Sequence, residues 1–137
     1  MAFHVPSVLV VDDFPDGREM VAEYLIFRGF SVLQASTGAE AIELARKHRP
    51  RLILMDLGMP GLDGWEATRQ LKADARTKGC VIIALTAHAL PSQHATAIAA
   101  GCDDVIPKPF DLTTLADSVD RIVNGNAAPL KGRRNLA

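Results

Sequence analysis

Aspartates stand at the ends of two apolar runs. Asp12 and Asp13 follow Val8-Leu9-Val10-Val11, and Asp56 follows Leu52-Ile53-Leu54-Met55. Another run ends in Thr86, and a shorter one is followed by Lys108 and Pro109. Three carboxylates brought within a few ångströms repel one another unless a cation neutralises them, and the hard, oxygen-preferring ion that suits them is Mg2+. Carboxylates, Mg2+, a hydroxyl and an ammonium are the parts of a phosphoryl-acceptor site: a nucleophile, a metal clamp and donors for the equatorial oxygens. Taken singly each signal is weak. An Asp pair after a strand is more often a cap or turn, a strand-end Thr is usually structural, and a loop Lys is usually solvated. Asp13 before Phe14-Pro15 could simply start a helix. What is specific is the ordered combination, with nothing comparable after the second apolar run.

These residues can meet only if the chain folds as an open parallel sheet. Five Val-, Ile- and Leu-rich runs (Ser7 to Val11, Ser31 to Ala35, Leu52 to Asp56, Val81 to Thr86, Asp104 to Pro107) alternate with five helix-like segments. The helical segments are Pro15 to Arg28, Gly38 to Arg49, Gly64 to Asp74, Ser92 to Ala100 and Leu112 to Val123. Continuous apolar strands between helices mark an α/β class with both faces of the sheet covered. Right-handed crossovers set the first and third strands side by side, so their carboxyl ends share one rim. Thr37 with Glu40 predicts a capping box, Asp111 a cap for the last helix, and Gly29 and Gly101 helix stops. Leu112, Leu115, Val119 and Ile122 form one core-facing stripe, opposite a solvated face of Asp117, Asp120 and Arg121.

The stretches Val8 to Asp13, Leu54 to Gly64, Ala84 to Ala87 and Pro107 to Phe110 resemble, together, the receiver domains of bacterial response regulators, over about residues 5 to 124. The resemblance implies a doubly wound, flavodoxin-like five-stranded sheet of order 2-1-3-4-5. It implies that Asp56 is phosphorylated by a histidine kinase, and that Asp13, Asp56 and the Gly58 carbonyl ligate Mg2+ with Asp12 helping through water. Thr86 and the Ala87 N–H would bind the phosphoryl group, Lys108 would pair with it and with Asp56, and the Lys108-Pro109 bond would be cis. Gly61 and Gly64 would suit a sharp loop with positive φ. Gly58 and His88, two residues past Asp56 and Thr86, would flank the approach of water and tune the phosphoryl lifetime. The sequence departs from the family at Val105, where receivers carry an aromatic that turns inward with the threonine; the aromatic half of that switch is missing.

With 137 residues the chain has room for one domain. The segment 125–137 reads as a disordered tail without an output domain. The longest apolar runs are too short to cross a membrane, and no signal-peptide pattern opens the chain, so a cytoplasmic protein is expected. Net charge is -1, and the tail's Lys131, Arg133 and Arg134 hide a more acidic body. Direct nucleic-acid binding is not expected. Cys80 and Cys102 read as reduced packing residues, His4, His48 and His94 as surface or boundary residues, and Trp65 as partial core or surface rather than a stacking platform.

The expected function is that of a stand-alone receiver catalysing only its own phosphorylation and dephosphorylation. Its partners would be a histidine kinase or histidine phosphotransfer protein and an unknown downstream target. One alternative is a receiver cut from a hybrid kinase, which the stretches Thr86 to Leu90 and Ala100 to Asp104 resemble. Another is an Asp-nucleophile, Mg2+-dependent phosphatase, although such enzymes place a second Asp where Gly58 stands. An unphosphorylated scaffold is disfavoured, because no acidic or lysine position is lost.

Overall fold

In a computed structural model, residues 7–57, 64–87 and 91–124 are described, with only the backbone for 91–94. Strands β1 (Val8–Val11), β2 (Val32–Ala35), β3 (Leu52–Asp56), β4 (Val81–Thr86) and β5 (Asp104–Pro107) alternate with five helices. The helices are α1 (Pro15–Phe27), α2 (Gly38–His48), α3 (Gly64–Ala73), α4 (Pro91–Ala100) and α5 (Leu112–Val123). All strand pairs are parallel, in the order β2-β1-β3-β4-β5. The connection direction therefore reverses between β1 and β3, where such sheets open a crevice at their carboxyl ends.

Side chains alternate across the strands and so divide the core in two. Leu9, Val11, Ile53, Met55, Ile82, Ala84 and Val105 pack under α2, α3 and α4. Val8, Val10, Leu52, Leu54, Ile83 and Leu85 pack under α1 and α5, against Val21, Leu25, Leu115, Val119 and Ile122. Both faces of the central strands are dry, which is why those runs are apolar at every position.

The helix ends explain themselves locally. Thr37 accepts from the Glu40 N–H at 3.0 Å, but Glu40 returns its carboxylate to the Ser36 N–H, at 2.8 Å, one residue earlier than the expected box. Asp111 accepts from the Thr113 N–H at 3.2 Å. Gly29 and Gly101 have φ of 100° and 114°, which suits glycine at helix stops. Helix α4 begins at Pro91 rather than Ser92; proline's fixed φ suits a first helical position.

Two expectations need correction. Gly64 is not among the positive-φ glycines. It is the first residue of α3, and a Cβ there would stand 2.4 Å from the Asp56 carbonyl oxygen, so the constraint is close approach. Arg121 does not stay on a wet face: it is half-buried, its Nη2 donates to Ser118 Oγ at 3.3 Å, and its Nε is buried without a partner among the described residues. Leu112 is half-buried, whereas Leu115, Val119 and Ile122 are buried and Asp117 and Asp120 exposed. Cys80 and Cys102 are free and buried, and Trp65 is half-buried against the core. His4, Gly61 and the segment 125–137 lie outside the described residues, as does the side chain of His94. Among the described residues no helix is long and apolar enough to cross a membrane.

Candidate functional site

Strand ends bring the predicted residues to one rim. In the β1–β3 register Val11 stands beside Met55, so the residues that follow, Asp12 and Asp56, are neighbours across the switch point. One carboxylate oxygen from each of Asp12, Asp13 and Asp56 falls within 4.8 Å of the others. Asp12 and Asp56 are each only 8% exposed and Asp13 is exposed, so the cluster opens to solvent on one side. Oxygens sharing an octahedral Mg2+ at about 2.1 Å stand about 3 to 4 Å apart, so small side-chain adjustments would bring these three around one ion. An all-carboxylate donor set is what such an ion selects.

The electrostatics point the same way. Burial raises the Asp12 carboxyl above its ordinary range; the Phe14 N–H, donating to Asp12 Oδ1 at 2.9 Å, opposes this, and neighbouring Asp56 adds to it. A cation at the cluster would offset this crowding. Asp12 thus works as a turn former and as a member of the acidic group. Its backbone is held by Arg18, which donates to the Asp12 carbonyl at 3.0 Å and, through Nε, to Gln34 Oε1 at 3.0 Å. Nothing in the sequence marks Arg18 for this task, because it depends on β2 lying beside β1.

On the other side of Asp56, Leu85 is its register partner, and Thr86 follows as the last residue of β4, buried. Lys108 donates its N–H to the Thr86 carbonyl at 2.7 Å, which ties the chain beyond β5 to the end of β4. The Lys108 ammonium then stands 3.6 Å from Asp56 Oδ2. The Lys108-Pro109 bond is cis. Ala87 is exposed and lines the same cleft. Gly58 and His88 lie outside the described residues.

Val105 is buried in β5, paired in register with Ala84 and packed in the cluster that includes Ala97 of α4. It does not reach the rim. The cleft itself has a volume of about 480 Å3, and its walls are less polar than the sequence implied: Phe14, Gly17, Met20 and Phe110 line it beside the carboxylates and Lys108. Phe14 and Met20 are 60% and 54% exposed, so the mouth of an acidic site is flanked by uncovered apolar surface. Their types gave no signal, since an exposed apolar residue on a helix reads as core until the helix is placed.

Comparison with known proteins gives a consistent outcome. A family model described as the response regulator receiver domain matches residues 8–120. The chain is 35% identical over 118 residues to Protein PilH of Pseudomonas aeruginosa, covering 86% of this chain and 98% of that one. It is 41% identical over 108 residues to response regulator MprA of Mycobacterium sp. strain KMS, covering 79% of this chain but only 46% of that longer protein. Among solved structures, the receiver domain of sensor histidine kinase PA1611 from P. aeruginosa PAO1 superposes with a TM-score of 0.78 at 33% identity, covering 85% of this chain and 96% of that one. That structure has a magnesium ion coordinated in its active-site cleft.

Proposed function

The chain belongs to the response regulator receiver domain family of two-component systems, and from that premise we propose that it is a phosphoacceptor switch whose acceptor is Asp56. The observation that carries this is the meeting of three carboxylates within 4.8 Å with the Lys108 ammonium 3.6 Å from Asp56 Oδ2. An Asp56 oxygen attacks phosphorus as the donor bond to phosphorus breaks. That bond's electron pair leaves with the imidazole of a phosphohistidine or with acetate from acetyl phosphate. One aspartyl O–P bond forms for each donor bond lost. Lys108 follows the transferred oxygens as it now follows Asp56 Oδ2, while the Thr86 hydroxyl and the Ala87 N–H donate to them. Mg2+, held by Asp13, Asp56 and the Gly58 carbonyl with Asp12 acting through water, would supply positive charge against the crowded oxygens.

The donor in the cell would be a histidine kinase or histidine phosphotransfer protein, and the signal would pass to a downstream protein by binding rather than through direct nucleic-acid contact. No external substrate is turned over. Gly58 and His88 would set how long the phosphoryl group lasts, with Gly58 leaving its side open to water. Similarity to the PA1611 receiver supports a second reading, in which the same switch operates as one part of a hybrid kinase. Both readings predict one phosphoryl group per chain from acetyl phosphate in Mg2+, seen by intact mass, and loss of that adduct's formation in EDTA. Sustained phosphate release from a generic ester substrate would point to a phosphatase instead, and equal labelling in EDTA would contradict a metal-assisted pocket.

A further inference from the structure

Charge is nearly balanced over the chain, with 15 Lys and Arg against 16 Asp and Glu, but it is unevenly spread. Where β3 and β4 begin, at the opposite end of the sheet from Asp56, lies a hollow of about 360 Å3 walled by Arg49, Arg51 and Arg76. Pro50, Val81 and Ile122 supply its apolar surface, and no acidic residue is among its described lining.

Each wall is fixed by its own turn. Arg49 closes α2, donating its N–H to the Ala45 carbonyl at 2.8 Å, with φ of 49°. Glycine adopts that left-handed backbone freely and a Cβ resists it, yet an arginine stands there, before buried Pro50. The Arg51 carbonyl accepts from the Val81 N–H at 3.0 Å, which joins the two strand starts. In the facing wall the Asp74 carbonyl accepts from the Thr77 and Lys78 N–H groups at 3.0 and 2.8 Å. Its carboxylate holds Arg76 Nη2 at 2.9 Å and Arg46 Nε at 2.8 Å. One carboxylate thus serves two guanidiniums, while Arg49 and Arg51, both exposed, have no ion-pair partner among the described residues.

Unbalanced positive charge in a concave, rigid site suits an anion. Guanidinium forks match phosphate oxygens two at a time, and three of them in one hollow suit more than one phosphate. The volume falls at the small end of ligand pockets. The cations line a hollow rather than a stripe along one face, which favours a compact anion over a nucleic acid.

We propose that this hollow binds a diphosphate group, free or at the end of a nucleotide. Arg49 and Arg51 supply the unengaged guanidiniums, and Arg76, steadied by Asp74, adds a third. The hollow is separate from the phosphoacceptor cleft: β3 starts at one and ends at the other, about 13 Å apart at about 3.3 Å per residue.

The test is a heteronuclear titration of the full chain with pyrophosphate and, separately, with adenosine diphosphate. Ionic strength is held constant, and divalent metals are stripped by resin, because soluble chelators are themselves polyanions. Saturable amide shifts should centre on Arg49, Arg51, Arg76 and Gly79. Arg49→Gly, which relaxes the left-handed backbone, and Arg51→Gln should each weaken binding about tenfold, the scale of one lost charge-assisted hydrogen bond. Gly79 lines the hollow, and a Cβ there would meet nothing within 4 Å, so Gly79→Glu should abolish binding with the fold intact. Equal affinity for the two ligands assigns recognition to the diphosphate alone, and tighter binding of adenosine diphosphate adds the nucleoside; either supports the site. Shifts that never saturate, or that survive all three substitutions, overturn the proposal. So do shifts centred on Asp12, Asp13 and Lys108, which place the anion in the phosphoacceptor cleft. A single-stranded oligonucleotide that binds more tightly than both ligands, with shifts extending beyond the hollow, overturns it in favour of nucleic acid. No variant touches Asp56 and no metal is present, so this result and that of the proposed function are independent.

Discussion

At the scale of single residues the site is a balance of charges, and Asp12 shows its sign most clearly. Its carboxyl is raised by burial and by Asp56, so the ionised form is disfavoured in the fold relative to the unfolded chain. Stability associated with such a group is present at low pH and is lost as pH rises through the folded value. At neutral pH without metal Asp12 therefore costs stability, and Asp12→Asn, which keeps an oxygen for the Phe14 N–H, should raise the melting temperature in EDTA. The gain should shrink when Mg2+ is added, because the ion stabilises the wild-type cluster more. A variant that melts below wild type in EDTA would contradict this account. The two thiols behave oppositely to reactive cysteines: burial pushes Cys102 up to about 11 and raises Cys80 as well. Neither should be alkylated in the folded protein at about pH 8, where thiolate is the reactive form, and both should be after denaturation. Rapid native labelling, followed by peptide mass, would show that these sites open. The identities of Asp12, Asp13, Asp56, Thr86 and Lys108 were legible because each closes or follows an apolar run. Arg18, Phe14 and Met20 were not, because their importance comes from what lies across from them in space.

Elements carry the positions of those residues, and their limits were legible to within a residue or so because each has a local cause. Thr37, Asp111, Gly29 and Gly101 stop or start helices by hydrogen bonding or backbone freedom that the residue type itself determines. Gly64 shows where that reasoning fails: it is glycine because α3 starts against the Asp56 carbonyl, and no sequence pattern reveals a close approach. Gly64→Ala should therefore destabilise the fold by about 1 to 3 kcal/mol, the range for an added methyl in tight packing, measured by urea denaturation. An unchanged midpoint would mean that α3 shifts freely. Lys72 is a second feature that only the tertiary structure reveals. It donates to Asp103 Oδ2 at 2.9 Å and to the Cys80 carbonyl at 2.8 Å, and Asp103 also accepts from the Ile82 N–H, so one lysine of α3 fastens the entry to β4 and the turn before β5. Val105 belongs to this scale too. Without an aromatic in β5, activation by beryllofluoride should shift amide signals after Thr86 and in α4 more than those of Val105 and α5. The opposite distribution, in a heteronuclear spectrum, would refute a route through α4.

At the scale of the whole fold, two dry faces hold a central sheet, and its carboxyl rim is where Asp12, Asp13, Asp56 and Lys108 come together. Order 2-1-3-4-5 puts β3 between β1 and β4, so Asp56 is flanked by Asp12 on one side and Leu85-Thr86 on the other. Alternating runs made the α/β class readable, whereas the strand order came from resemblance to a family. The distribution of exposed apolar surface over α1 was beyond reach until α1 was seen packed. Any ion that binds only the folded state stabilises it by mass action, so a Mg2+-dependent rise in melting temperature is expected of the wild-type chain. The central claim is narrower and is tested by one measurement: intact-mass detection of phosphoryl transfer from acetyl phosphate in saturating Mg2+, comparing the wild-type chain with Asp56→Asn. The account predicts one phosphoryl group on the wild type and none on the variant, with both folded by circular dichroism. A variant that labels as fully as the wild type would show that the phosphoacceptor is a different residue.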